Sequence, residues 1–367
     1  MRKAAYHILI YILSLFVLAS CDVHEFPEER NERVPFTLHL NFDTELPFHK
    51  EVVYTRSGEE ETKAPIKAHD VRYIINAYRT DNVYGQNTTP DATFVFSHSD
   101  LNNLNYTAQL DLPEGTYDFR VWCDYVDAGS QSDKYYDTSS FEEIILKSRN
   151  NHVGSNDFRD AFRGSTTGKV INPAYYRGPI LDTIENEATV EMSRPMGKVE
   201  FISTDVEIFL TRVAQMLQKK GLLSHIDLDS ANAYELLLQS IDLGQFKVII
   251  TYNIYMPCSF NIFNDAPASS WEVVSFQSQM QRISQTDMLL GFDYVFTRDT
   301  GTTLSMSVDV YDKDDVLMSR SRAVDVPIVR GKYTTVRGEF LTSMATGGVS
   351  INPGYDGEDY NIDITIR

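Results

Sequence analysis

The chain has 367 residues and a formal charge of −19, from 52 acidic against 33 basic side chains. Such a surface repels phosphate backbones and anionic head groups, which excludes nucleic acid as a partner and a basic patch as a membrane anchor. With 42% hydrophobic and 12% aromatic residues the chain can bury substantial cores, so a disordered protein is excluded too.

Residues 1–20 have the proportions of a signal peptide. Arg2 and Lys3 precede an apolar run, Ile8 to Ala19, that is too short for a spanning helix. Leu18-Ala19-Ser20-Cys21 closes it with small residues and a cysteine. This resembles the lipobox of bacterial lipoproteins, which implies that Cys21 is acylated and becomes the mature N-terminus. An ordinary secretory signal cut near Ala19 is the alternative, and either route exports the chain. No later segment is long and apolar enough to cross a bilayer. Residues 21–33 are acidic and polar and read as a tether. Asp22, Glu25, Glu28 and Glu29 there are similar to surface-export signals.

Residues 34–185 read as a first β-sandwich. Phe36 to Phe42 alternates apolar and polar with period two. After the polar stretch from Thr55 to Lys67, further strands are predicted at Val71 to Arg79, Thr93 to Ser97, Tyr106 to Leu112, Tyr117 to Val126 and Phe141 to Leu146. Leu112-Pro113-Glu114-Gly115 is a turn between two of them. Residues 186–341 read as a second sandwich, opening at Ala188 to Met192 and continuing through Lys198 to Ser203. A short helical insertion follows. Ile208, Val213, Met216 and Leu217 recur at helical spacing behind Asp205, a candidate cap, and a second helix covers Tyr234 to Ser240. Strands then resume at Phe246 to Tyr255, Gly291 to Thr297, Thr302 to Tyr311, Val316 to Val324 and Tyr333 to Phe340. The domain boundary falls near residue 185, and the halves show no clear repeat at residue level. Short strands at this spacing give an all-β fold of two tandem sandwiches.

Residues 342–367 begin with a small, polar, glycine-rich stretch of linker composition and end in Tyr360-Asn361-Ile362-Asp363-Ile364-Thr365-Ile366-Arg367. Strict alternation there predicts a strand. It either folds back as a final edge strand or is offered to another subunit's sheet. Tyr360, Ile362, Ile364 and Ile366 are the candidate partner-binding residues, each contributing about 1.5–3 kcal/mol if fully enclosed.

Motifs for chemistry are lacking, so no enzyme, cofactor or metal is expected. The eight histidines form no metal-ligand pair, and His39 lies on the polar face of its strand. Gly164 to Lys169 has three residues between its glycines, too few for a phosphate loop. Asp309, Asp312, Asp314 and Asp315 crowd a turn without the glycine and closing glutamate of a calcium loop. No nucleophile elbow occurs. Cys123 and Cys258 read as separate buried thiols, although the compartment permits a disulfide. Trp122 faces opposite Val121 and Cys123; it either packs under a second sheet or offers its ring to a sugar.

Several phrases resemble one family. They are Leu112 to Trp122 with Asp124-Tyr125-Val126, Asp160-Ala161-Phe162, Arg194 to Phe201, Met256 to Asn261, Gly291 to Phe296 and Val326 to Gly338. In this order, behind the lipobox, they are similar to the Bacteroidales fimbrillin-like lipoproteins, the group containing the fimbrial anchor subunits of type V pili. The resemblance spans about residues 70 to 342. It implies two transthyretin-like, Greek-key sandwiches held at the cell outer membrane by lipid, with fimbrillin-type subunits as partners joined by strand exchange. It also implies that Phe36 to Phe42 is a retained first strand, with Arg56 a conceivable cleavage point in a polymerising subunit. An adhesin or glycan-binding lipoprotein without a fibre is the alternative function.

Overall fold

A computed structural model describes residues 33–42, 52–54, 60–62, 69–81, 87–172, 186–343 (bar 225, 229 and 285) and 363–366. The strands of the first half are β1 (Arg33–Phe42), β2 (Val52–Tyr54), β3 (Glu60–Thr62), β4 (His69–Arg79), β5 (Ala92–His98), β6 (Tyr106–Pro113), β7 (Gly115–Asp127), β8 (Tyr136–Asp137), β9 (Ile144–Leu146), β10 (Phe162–Ile171) and β11 (Glu187–Met192). The second half opens with β12 (Met196–Ser203), followed by the helices α1 (Val206–Lys219) and α2 (Ala233–Ser240). Its other strands are β13 (Lys247–Pro257), β14 (Ser259–Asn261), β15 (Ala266–Pro267), β16 (Ser270–Ser278), β17 (Gln281–Arg282), β18 (Met288–Phe296), β19 (Thr302–Tyr311), β20 (Leu317–Arg320), β21 (Val324–Ile328), β22 (Tyr333–Gly338) and β23 (Asp363–Ile366). The fold is all-β with a short helical insertion, as the alternation predicts.

In the first sandwich a sheet ordered β11-β1-β6 faces one ordered β10-β7-β4-β5. Val34, Phe36, Leu38, Leu40 and Phe42 of β1 all point into the core between them, because every second side chain of a strand shares a face. In the second sandwich β17-β18-β12-β22-β23 faces β16-β13-β19-β20, with β21 also on β19.

The halves repeat one topology that the sequence does not display. In each, the opening strand lies between an antiparallel neighbour and a closing strand that runs parallel to it: β6-β1-β11 in the first, β18-β12-β22 in the second. The facing sheets match as well, with β10-β7-β4-β5 corresponding to β21-β19-β13-β16. The β2–β3 hairpin and the two helices occupy the same place in the two orders, directly after the opening strand. β23 is the addition that has no counterpart among the described residues of the first sandwich.

Two features differ from the sequence reading. β11, expected to open the second half, completes the first sandwich: its register runs from Thr37↔Glu187 to Phe42↔Met192, and Ala188, Val190 and Met192 lie in the first core. The chain passes between sandwiches at Ser193-Arg194-Pro195, so the structure moves the first sandwich's end beyond residue 185. The sandwiches are also not independent. β8 and β9 join β14 and β15 in one small sheet, and Ile74, Trp122, Tyr136, Phe141 and Ile144 pack into the second core.

Candidate functional site

The C-terminal strand is the place to begin. β23 lies antiparallel on β22, with Ile366 opposite Thr334, Thr365 opposite Thr335, Ile364 opposite Val336 and Asp363 opposite Arg337. Of the two readings of the tail, the described residues adopt the fold-back. Ile364 is half-buried and packs against the second core. Tyr360, Ile362, Cys21 and Arg56 lie outside the described residues.

β22 itself is firmly held on its other side. It pairs with β12 over Lys198↔Tyr333 to Ser203↔Gly338. Thr335 Oγ1 donates to Glu200 Oε1 at 2.6 Å, and Thr334 Oγ1 donates to the Pro327 carbonyl at 2.6 Å. Arg337 Nη2 reaches both carboxylate oxygens of Asp287 at 2.9 Å. β23, by contrast, is a four-residue edge strand with β22 as its sole ladder partner among the described residues. Its removal would uncover one edge and one half-buried isoleucine while leaving the sandwich closed.

β1 is the opposite case. It is a central strand, paired with β6 from Arg33↔Pro113 to Leu40↔Tyr106 and with β11 on its other side. Phe36 stacks on Phe119 with ring centroids 5.2 Å apart. Its five buried apolar side chains each contribute about 1.5–3 kcal/mol, so extracting it would open the first core. The first strand is thus built in.

Buried charges fasten the two halves. Asp293 on β18 accepts from His152 Nε2 at 2.6 Å, from the Tyr252 hydroxyl at 2.8 Å, from the Tyr294 amide at 2.8 Å and from Arg159 Nη1. Burial alone would raise its carboxyl pKa, but Arg159 and His152 outweigh it and hold the group below the ordinary carboxylate range. Lys198 Nζ donates to Asp157 Oδ1 at 2.8 Å and sits 3.8 Å above the Phe292 ring centroid. Its pKa is lowered by burial, against the opposing pull of Asp157. Arg194 forks onto Asp160 at 2.7–2.9 Å, and Arg163 and Arg330 both reach Asp265 Oδ2 at 2.7 Å. Arg159 and Arg163 come from the first half and their partners Asp293 and Asp265 from the second, while Asp160 of the first half holds Arg194 of the connection between them. Sequence reasoning missed all of these, because partners such as Arg159 and Asp293 have no fixed spacing.

Trp122 is fully buried in the second core, with its indole Nε1 donating to Asp124 Oδ2 at 3.1 Å. It therefore offers no ring to a sugar. Cys123 and Cys258 are free thiols in different cores. Burial pushes the Cys123 thiol well up and that of Cys258 up to about 11. Asp312 accepts from the amides of Asp314 and Val316 at 2.9 Å, and Asp309 is forked by Arg320, so both carboxylates serve a hairpin. Gly164 to Lys169 is part of strand β10.

A family model described as a family of unknown function (DUF6562) matches residues 31–366. No curated protein sequence matches the chain. Solved structures to which the chain is similar include the fimbrial anchor protein Mfa2 from Porphyromonas gingivalis, at 10% identity and a TM-score of 0.38, covering 83% of this chain and 90% of that one. Another is a provisionally assigned cell adhesion protein from Bacteroides eggerthii, at 10% identity and a TM-score of 0.42, covering 92% and 95%. A third is a provisionally assigned polysaccharide-binding protein from Bacteroides thetaiotaomicron, at 11% identity and a TM-score of 0.37, covering 78% and 79%.

Proposed function

We propose that this chain, which belongs to the DUF6562 family, is a lipid-anchored outer-membrane protein that holds a fimbrillin-type subunit at the cell surface by exchanging its C-terminal strand. The observation that carries this reading is the contrast between β1 and β23. The first strand is locked into the middle of a sheet, whereas the last is a short edge strand set beyond a complete sandwich. A chain that keeps its first strand has no vacated slot to polymerise through, and a detachable last strand suits a cap or anchor. Ladder hydrogen bonds and the alternate isoleucines would re-form on another subunit's sheet edge. The lipobox-like start supplies the membrane attachment, and the buried polar clusters described above are closed ion pairs that fasten the fold.

Two variants expressed in the native host test the reading together. Cys21→Ser should abolish acyl labelling and release the chain from the membrane fraction. Deleting residues 360–367 should leave retention intact and abolish co-purification of fibre subunits. Undiminished retention of Cys21→Ser refutes the lipid anchor, and undiminished co-purification refutes the strand-exchange role.

A further inference from the structure

A polar cleft of about 790 Å³ lies on the outer face of the first sandwich. Val71, Tyr73, Ile75 and Ala77 of β4 point into the first core, so the alternate residues Arg72, Ile74, Asn76 and Tyr78 point outward. These four line the cleft together with Thr93 and Val95 of β5. Residues 131–133 and 138–142 complete the lining, with Thr88, Thr89 and Pro90 from the connection between β4 and β5.

The walls are fixed in advance. The Asp133 carboxylate accepts from the Thr138 amide at 3.0 Å, from the Thr138 hydroxyl at 2.7 Å and from Arg72 Nη1 at 2.8 Å. Arg72 Nη1 also donates to the Gln131 carbonyl at 2.8 Å, and Gln131 Nε2 donates to the Val95 carbonyl at 3.4 Å. A site held this way has little left to order when a ligand enters.

Its chemistry selects the occupant. Among the lining residues Arg72 and Lys147 balance Asp133 and Glu142, so the cleft carries no net charge. Arg72 is committed to Asp124 and Asp133, and Lys147 Nζ donates to the Asp133 carbonyl at 3.0 Å. An apolar ligand finds little surface, because Ile74, Tyr78 and Phe141 are all buried. The β4 and β5 residues present a sheet face, not a ladder edge, so an extended peptide gains no strand pairing there.

What remains is hydroxyl and amide chemistry. The lining holds seven serine and threonine residues. Thr93 Oγ1 donates to Asn76 Oδ1 at 2.7 Å, and Asn76 Nδ2 donates to the Tyr78 hydroxyl at 3.2 Å. The second Asn76 amide hydrogen and the Tyr78 hydroxyl hydrogen then have no acceptor among the described residues, although Asn76 is 7% and Tyr78 2% exposed. Buried donors left unmet are costly, and a ligand oxygen placed against them removes that cost.

We infer that this cleft binds a neutral carbohydrate, with Asn76 and Tyr78 donating to its hydroxyl oxygens. Sugar hydroxyls donate as well as accept, which matches a lining of hydroxyls and amides without net charge. The site is separate from β23 and does not depend on strand exchange.

The test places the full-length chain, in detergent, on a printed array of neutral, sialylated and sulfated glycans with unglycosylated peptides as controls. A neutral glycan that the array retains is then titrated by calorimetry. Tyr78→Phe and Thr93→Val each delete one hydroxyl and keep the side-chain shape, and each should weaken binding about fivefold. Ser139→Trp, on the exposed rim, should abolish binding by filling the cleft while the circular dichroism spectrum stays that of the wild type. Deleting residues 360–367 should leave the affinity unchanged, so failure here and failure of the strand-exchange role are separable. The inference is overturned by retention of no neutral glycan, by preference for the charged glycans or the peptides, or by an affinity that all three substitutions leave intact.

Discussion

Asp293→Ala is expected to lower stability by about 3–5 kcal/mol, measured as a shift in the denaturant midpoint, because it strands a buried charge. Arg159 and His152 are almost fully buried, and the Tyr252 hydroxyl donates to the same carboxylate. None of the three can reach water when Asp293 is cut back. The effect has a defined pH dependence. The folded carboxyl titrates below its unfolded value of about 3.9. Its stabilisation is therefore fully present above that value and is lost as pH falls through the folded one. The gap between wild type and Asp293→Ala should narrow on strong acidification and stay constant on the neutral side. A loss below about 1 kcal/mol, as for an exposed ion pair, would show that the cluster does not fasten the halves.

Trp122→Ala carries the next largest effect, about 3–5 kcal/mol for an aromatic removed from a core. The ring lies on the outer face of the first sandwich yet packs edge-on to Tyr136 at 5.3 Å and near Phe296 at 6.4 Å, the latter in the second half. It also leaves Asp124 without one of its donors, although the Arg72 fork at 2.7–2.9 Å remains. Because this core is shared, amide exchange should accelerate on both β7 and β18. Acceleration confined to the first half would mean that the two sandwiches unfold independently.

Much of the architecture was legible from period two alone. β1, β4, β7, β13 and β19 are long strands with one or both faces buried, and their apolar patterns leave little choice. α1 was legible from its 3.6-residue spacing, and Asp205 does sit at its N-cap. The Asp205 carboxylate, however, makes no cap bond: it accepts from the Thr342 amide at 2.7 Å and the Leu341 amide at 3.3 Å, pinning the segment after β22 to the helix start.

What escaped the pattern escaped for physical reasons. β10 is an edge strand whose middle is exposed, and its Gly164 is demanded by close approach, since a Cβ there would lie 2.5 Å from Val190. Such a strand reads as a polar loop. β16 carries a register shift opposite Tyr252 and Tyr255, with Val273 in the left-handed region at φ 46°. The shift turns Val273 out to solvent and spoils the alternation. β11 reads correctly as a strand, but its place in the first sheet depends on a parallel pairing with a strand about 150 residues earlier, which no local spacing encodes. The charged clamps have the same origin: they are tertiary pairings between residues far apart in the chain, such as Arg159 with Asp293 and Arg163 with Asp265.

The proposed function requires β23 to leave β22, and a reversible lock tests that requirement directly. Thr334 and Ile366 are direct cross-strand partners, and the two natural thiols of the described body are buried. A Thr334→Cys, Ile366→Cys chain can therefore be oxidised to staple the tail to its own sandwich and reduced to free it. The oxidised chain should fail to capture fibre subunits from host extracts, and reduction should restore capture to the wild-type level. Capture that is equally strong with the staple closed would contradict the account.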